Sequence, residues 1–89
     1  MTGVRYSHTI HEHALAVVFR LSLPERRKIM DECDKLAHNP FVEPDYVRAD
    51  AAGREMSHVI RGSHAIAYWV DHGERLVCIS RIDPADLFG

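Results

Sequence analysis

Positive charge is what this chain most plainly lacks: 11 Lys and Arg stand against 13 Asp and Glu, a formal net charge of −2. Proteins that hold nucleic acid through its phosphates carry a basic excess. A generally sticky polycation is therefore excluded, and only a local basic patch stays open. Cysteine is scarce too. Cys33 and Cys78 are too few and too far apart for a disulfide framework or a zinc knuckle. Both read as reduced, buried small hydrophobes, which fits a cytosolic compartment. No apolar run approaches the roughly 20 residues of a membrane span; the longest, Ala14 to Phe19, is far shorter. MTGVRYSH has no apolar h-region, so the expectation is a cytoplasmic protein with no export signal. There is no P-loop, nucleophile elbow, dinucleotide fingerprint or acidic dyad. Histidine is plentiful, but His8-x-x-His11-x-His13 straddles a strand end and a helix start, and no Cys or carboxylate set at ligand spacing supports it. Neither a metal nor a cofactor is expected.

What is present reads as one α+β domain, residues 1–89, with an ordinary globular balance of 46% hydrophobic and 27% charged residues. A domain this small has a marginal core, and a partner would help stabilise it. The most informative stretch is Arg54 to Ile82. Two turn signals, Arg61-Gly62-Ser63-His64 and Asp71-His72-Gly73-Glu74, separate runs rich in Val, Ile, Tyr and Trp. These predict three consecutive antiparallel strands at about 54–61, 64–71 and 75–82. Upstream, residues 4–8 alternate loosely as an edge strand, and Thr9-x-x-Glu12 has capping-box spacing, opening a helix over about 10–22. Ser22-x-x-Glu25 repeats the box with Pro24 in the first turn, predicting a second helix over 23–38 that Asn39-Pro40 stops. Its apolar face is Ile29, Met30, Cys33, Leu36 and Ala37. The helices abut, so an αα-hairpin packed on the sheet is expected. Tyr46-Val47-Arg48 is a further short strand.

The first helix is apolar nearly all round. Ala14, Val18 and Leu21 form one stripe, and Leu15, Ala16, Val17 and Phe19 are surplus to it. Either the helix is sandwiched within the fold, or its outer residues Leu15, Val17 and Phe19 contact another chain. His58 is a candidate general acid or base; equally, its alternation with Met56 and Ile60 suits a partly buried strand histidine. Arg48, Arg54, Arg61 and Arg81 lie on or beside strands, either clustering around a phosphate or carboxylate or pairing at the surface with Glu55, Glu74 or Asp83. Tyr68 and Trp69 point to opposite faces of one strand, one under the helices and one open.

The order strand, helical hairpin, antiparallel strands resembles the RelE/ParE superfamily of type II toxin–antitoxin toxins. The likeness is carried by Ala14 to Leu21 leading into Leu23-Pro24-Glu25-Arg26-Arg27, by Leu36-Ala37-His38-Asn39-Pro40-Phe41 and by Gly53-Arg54-Glu55. Val59 to Tyr68 and Val77 to Ile82 extend it to nearly the whole chain. The resemblance implies an N-terminal strand and helical hairpin packed on a twisted antiparallel sheet of three to four strands. It also implies a growth-inhibiting, plasmid-stabilising toxin silenced by a cognate antitoxin, with Leu15, Val17 and Phe19 at the antitoxin or homodimer contact. RelE-like members cleave mRNA in the ribosomal A site without a metal, using basic side chains and a C-terminal aromatic; ParE-like members poison DNA gyrase. This chain departs from the ribonuclease pattern. Ala65 stands where many members have arginine, and Asp83-Pro84-Ala85-Asp86-Leu87-Phe88 stands where ribonucleases place basic residues and a tyrosine. Acidic groups beside a scissile phosphate repel it. The expectation is therefore a ParE-like toxin acting by binding. The enzyme alternative is an mRNA interferase in which His58, Arg61 and Arg81 substitute for the usual set, and a third class is a non-toxic homologue kept as a binding protein.

Overall fold

The computed structural model describes residues 5–85. Its elements are β1 (Ser7–Ile10), α1 (Glu12–Arg20), α2 (Leu23–His38), β2 (Tyr46–Ala49), β3 (Glu55–Arg61), β4 (His64–Asp71) and β5 (Leu76–Pro84). The sheet runs β1-β5-β4-β3-β2. It has five strands rather than three or four, and it is mixed: β1 lies parallel to β5, with Ser7 opposite Leu76 and Ile10 opposite Ile79. Turn chemistry reveals hairpins between neighbours in sequence. A parallel pairing between the two ends of a chain leaves no such local mark.

The second helix begins and ends where its caps dictate. Ser22 Oγ accepts from the Glu25 N–H at 3.4 Å, the N-cap bond the spacing predicts, and its hydroxyl donates to the Glu25 carboxylate at 3.1 Å. The first helix is shorter than its apolar run. Thr9, expected to cap it, lies inside β1 opposite Cys78. His11 caps instead, its Nδ1 accepting from the His13 N–H at 3.4 Å. The β1–β5 hydrogen bonds claim Thr9 and Ile10, so the helix cannot start before them. Among the described residues no helix is long and apolar enough to cross a membrane.

Both helices cover one sheet face. Ala14 and Val18 from α1 and Ile29, Cys33 and Leu36 from α2 meet Val59, Ile66, Tyr68, Val77, Ile79 and Ile82 from the strands. Each large side chain fully withdrawn from water contributes about 1.5–3 kcal/mol before entropy is charged against it. Tyr68 is the large aromatic under the helices and Trp69 points to the other face, as the alternation requires. Cys33 is fully buried, but Cys78 is half-exposed on the bare side rather than buried. On α1, Val17 leans on the core and Leu15 is half-buried, leaving Phe19 at 63% exposure as the open member of the three predicted contact residues. Leu23 follows it at 60%.

One irregularity matters for everything below. Ala67 pairs with Arg81 and Tyr68 with Ile79, so Ser80 is an extra residue bulged out of β5. Were Ser80 instead an ordinary ladder residue, strict alternation would send Arg81 into the core behind Ile79. With the bulge, Ile79 and Ile82 both face the helices, and Arg81 and Asp83 turn to the uncovered face.

Candidate functional site: the uncovered sheet face

Strand register assembles the site. On the face away from the helices, Tyr46 is opposite His58, His58 opposite Ala67, and Ala67 opposite Arg81. The neighbouring rows are Ile60, Ala65 and Asp83 on one side and Arg48 and Met56 on the other. Ala67 keeps the middle of this row low, so the longer side chains around it wall a cleft of about 320 Å³. Arg48, Asp50, Met56, His58, Arg81 and Asp83 line it.

His58 is held from two sides. Its ring stacks on Tyr46 with centroids 4.5 Å apart and planes 13° from parallel. Its Nδ1 lies 3.2 Å from the Met56 carbonyl, and a carbonyl only accepts, so Nδ1 carries the proton. In the neutral ring, Nε2 is left as the basic lone pair. Burial lowers the His58 pKa, and Arg48 lowers it further; the Met56 carbonyl and Asp83 oppose them. The imidazole is therefore neutral at pH 7.

The guanidinium groups are less available than their number suggests. Arg81 holds Asp83 in a two-pronged pair, Nε to Oδ2 at 3.1 Å and Nη2 to Oδ1 at 3.3 Å. Arg48 lies over Tyr46, 5.5 Å from its centroid. Asp50 Oδ1 accepts from the backbone N–H groups of Ala52 and Arg54 at 2.9 and 2.8 Å, closing the β2–β3 turn. Two arginines and two aspartates thus line the cleft beside a neutral imidazole. In a separate hollow that also touches Ser80, Arg54 lies over Trp69, 4.4 Å from the ring centroid.

Of the three residues predicted for catalysis, the fold brings His58 and Arg81 to one cleft and places Arg61 elsewhere. Arg61 reaches to the helix side, with Nε 3.2 Å from Glu32 and Nη1 3.7 Å from Asp45. Asp45 also accepts from the Ile60 N–H at 2.7 Å, so the guanidinium fastens α2, β3 and the loop before β2 together. The histidines are scattered. His8 pairs with Asp34 at 3.3 Å, His11 caps α1 and His38 bonds the Asp34 carbonyl. No group of three potential metal ligands forms among the described residues. Sequence reasoning passed over Tyr46 as a site residue. A signal for it existed: a hairpin closed around Asp50–Arg54 sets Ala49 opposite Glu55, and counting outward sets Tyr46 opposite His58.

No family model matches the sequence, and no curated sequence matches it significantly. Solved structures do match. The toxin–antitoxin complex RelBE2 from Mycobacterium tuberculosis gives a TM-score of 0.77 at 20% identity, covering 93% of this chain and 94% of that one. The archaeal RelE–RelB complex from Pyrococcus horikoshii gives 0.72 at 15%, covering 91% and 96%. A mutant E. coli RelE toxin in the free state gives 0.72 at 16%, covering 96% and 88%. The fold is that of the RelE toxins. In this RelE fold the helices cover one sheet face, and among the described residues the cleft lies on the other. Sequence identity of 14–20% with such neighbours leaves individual side-chain roles to be argued from this chain alone.

Proposed function

We propose that this chain is the toxin of a type II toxin–antitoxin pair, acting in the cytoplasm and neutralised by a cognate antitoxin. The observation that carries the reading is end-to-end agreement with RelE structures, two of which were solved as complexes with their antitoxins. The exposed Phe19 and Leu23 beside the α1–α2 junction are the apolar ground on which that antitoxin rests. Toxicity is by binding, with DNA gyrase the target as in ParE-like toxins. In support, the charges lining the cleft cancel, and a neutral cleft gives a phosphoryl transition state little stabilisation. Induced expression tests the reading: growth stops when the chain is made alone and resumes when the neighbouring open reading frame is co-expressed. Unimpaired growth at verified expression overturns it.

One observation favours a second reading, a metal-independent endoribonuclease. A neutral imidazole with Nε2 free is suited to take a proton from a ribose hydroxyl. Gyrase-dependent DNA cleavage complexes in supercoiling reactions support the first reading, and mRNA cut in the ribosomal A site supports the second.

A further inference from the structure

We propose that Asp83 is a carboxylate latch that closes a latent oxyanion site on the uncovered sheet face. The site's parts are arranged by the sheet itself. Arg81 follows Ala67 and His58 in one cross-strand row, Arg48 enters from the row beside it, and the nearly buried Ala67 floors the cleft between them. A guanidinium with two parallel N–H groups directed at two oxygens is the geometry that binds phosphate or carboxylate bidentately. Here both of those N–H groups are already spent on Asp83, at 3.1 and 3.3 Å. The Ser80 bulge makes this self-pairing possible: it turns Arg81 outward, and Asp83, two residues on, falls on the same side and within reach.

Asp50, the other carboxylate of the cleft, plays no such part. Its Oδ1 is engaged by the Ala52 and Arg54 N–H groups, and it belongs to the turn. Asp83 makes its side-chain bonds to Arg81 alone among the interactions described, so it occupies the position an incoming phosphate oxygen would take. A ligand oxyanion must displace it, and the displaced carboxylate stays tethered at the rim of the site. The latch therefore both competes with an anion and repels it. Its removal leaves Arg81 and Arg48 flanking the floor with one fewer opposing charge. The site then takes a phosphate, free or within a phosphodiester.

This deepens the account of a charge-cancelled cleft given above but does not rest on the toxin assignment, because it is tested on the isolated full-length protein with inorganic phosphate. Phosphate is titrated at low ionic strength into wild type and Asp83→Asn, followed by calorimetry and by amide chemical shifts. Asp83→Asn keeps the shape and removes the charge, so affinity rises about tenfold, the change expected for losing one charge at contact distance. Asp83→Ser, shorter and unable to hold the guanidinium, gives a gain of similar size if Asn itself bonds Arg81. Arg81→Gln/Asp83→Asn loses the gain. Circular dichroism and melting confirm that each variant is folded. Unchanged phosphate affinity in both folded single variants overturns the latch, and so does a gain that survives removal of Arg81. Growth inhibition, measured separately, is unaffected by either outcome as evidence on the toxin reading.

Discussion

Replacing Arg61 by Gln removes one charge and keeps a polar head of moderate length. In the native state its guanidinium lies 3.2 Å from Glu32, 3.7 Å from Asp45 and 2.9 Å from the Ile60 carbonyl. The Arg61 and Glu32 side chains keep 31% and 24% of their exposure, so solvent screens the pair in part. An exposed ion pair is worth roughly 0.2–1 kcal/mol, and two partly screened pairs at one group total about 1–1.5 kcal/mol. Lys35, 3.6 Å from Glu32, recovers some of that when Arg61 is gone. The net loss is about 1 kcal/mol, or about 4–8 °C in Tm for a domain of this length. Arg81→Gln deletes the same charge from a pair that is 57% and 25% exposed and joins residues two apart on one strand. That loss stays below about 0.5 kcal/mol. Scanning calorimetry at pH 7 and low salt therefore finds Arg61→Gln melting several degrees below Arg81→Gln, and added salt narrows the gap. The reverse order, with Arg61→Gln melting like wild type, refutes the assignment of Arg61 as the fastener between α2 and the sheet.

Three further outcomes are expected. Burial holds the His58 pKa below its ordinary 6.5, so as pH falls past that value the unfolded chain gains a proton before the folded one does. Stability tied to His58 is thus complete above that pH and declines in acid. Relative to His58→Phe, which keeps the stack on Tyr46, wild type loses denaturant stability between about pH 7.5 and pH 5; a constant difference contradicts this. The Cys33 thiol is pushed up to about 12, chiefly by burial and secondly by Asp34 and Glu32. Iodoacetamide at mildly alkaline pH accordingly modifies Cys78 first by peptide mapping, and faster labelling of Cys33 contradicts the packing described. Deleting Ser80 removes the extra residue, so Arg81 directly follows Ile79, the pairs Ala67–Arg81 and Tyr68–Ile79 close as an unbroken ladder, and Arg81 still faces outward. The deleted chain therefore keeps a cooperative melt, and loss of that melt contradicts the reading of Ser80 as the extra residue of a bulge.

Much of the fold was legible because it is written locally. Ser22, Pro24, Glu25 and Asn39 bracket α2 at the bounds the sequence predicts, and Gly62, with φ of 61°, sits in the left-handed turn that joins β3 to β4. What the sequence concealed is non-local. Thr9 satisfies a capping pattern, yet strand pairing with β5 outbids the helix for it, since pairing there satisfies backbone groups along the whole of β1. The site was half legible. His58 and Arg81 were recognisable as candidates by residue type. Their meeting depends on the Ser80 bulge, which no periodicity announces, and Arg61 was grouped with them because its strand position shows neither Glu32 nor Asp45. Asp83 was foreseeable as an arginine partner, but its two-pronged hold on Arg81 is visible only once the bulge puts both on one face.

The central proposal is that the cleft on this RelE fold is charge-cancelled, with Arg81 engaged by Asp83, and gives RNA cleavage little support. Purified protein added to ribosomes translating a defined message, with primer extension across the reading frame, measures this directly. The account predicts full-length message and no stops at A-site codons. New A-site ends that vanish with Arg81→Gln or His58→Phe contradict it.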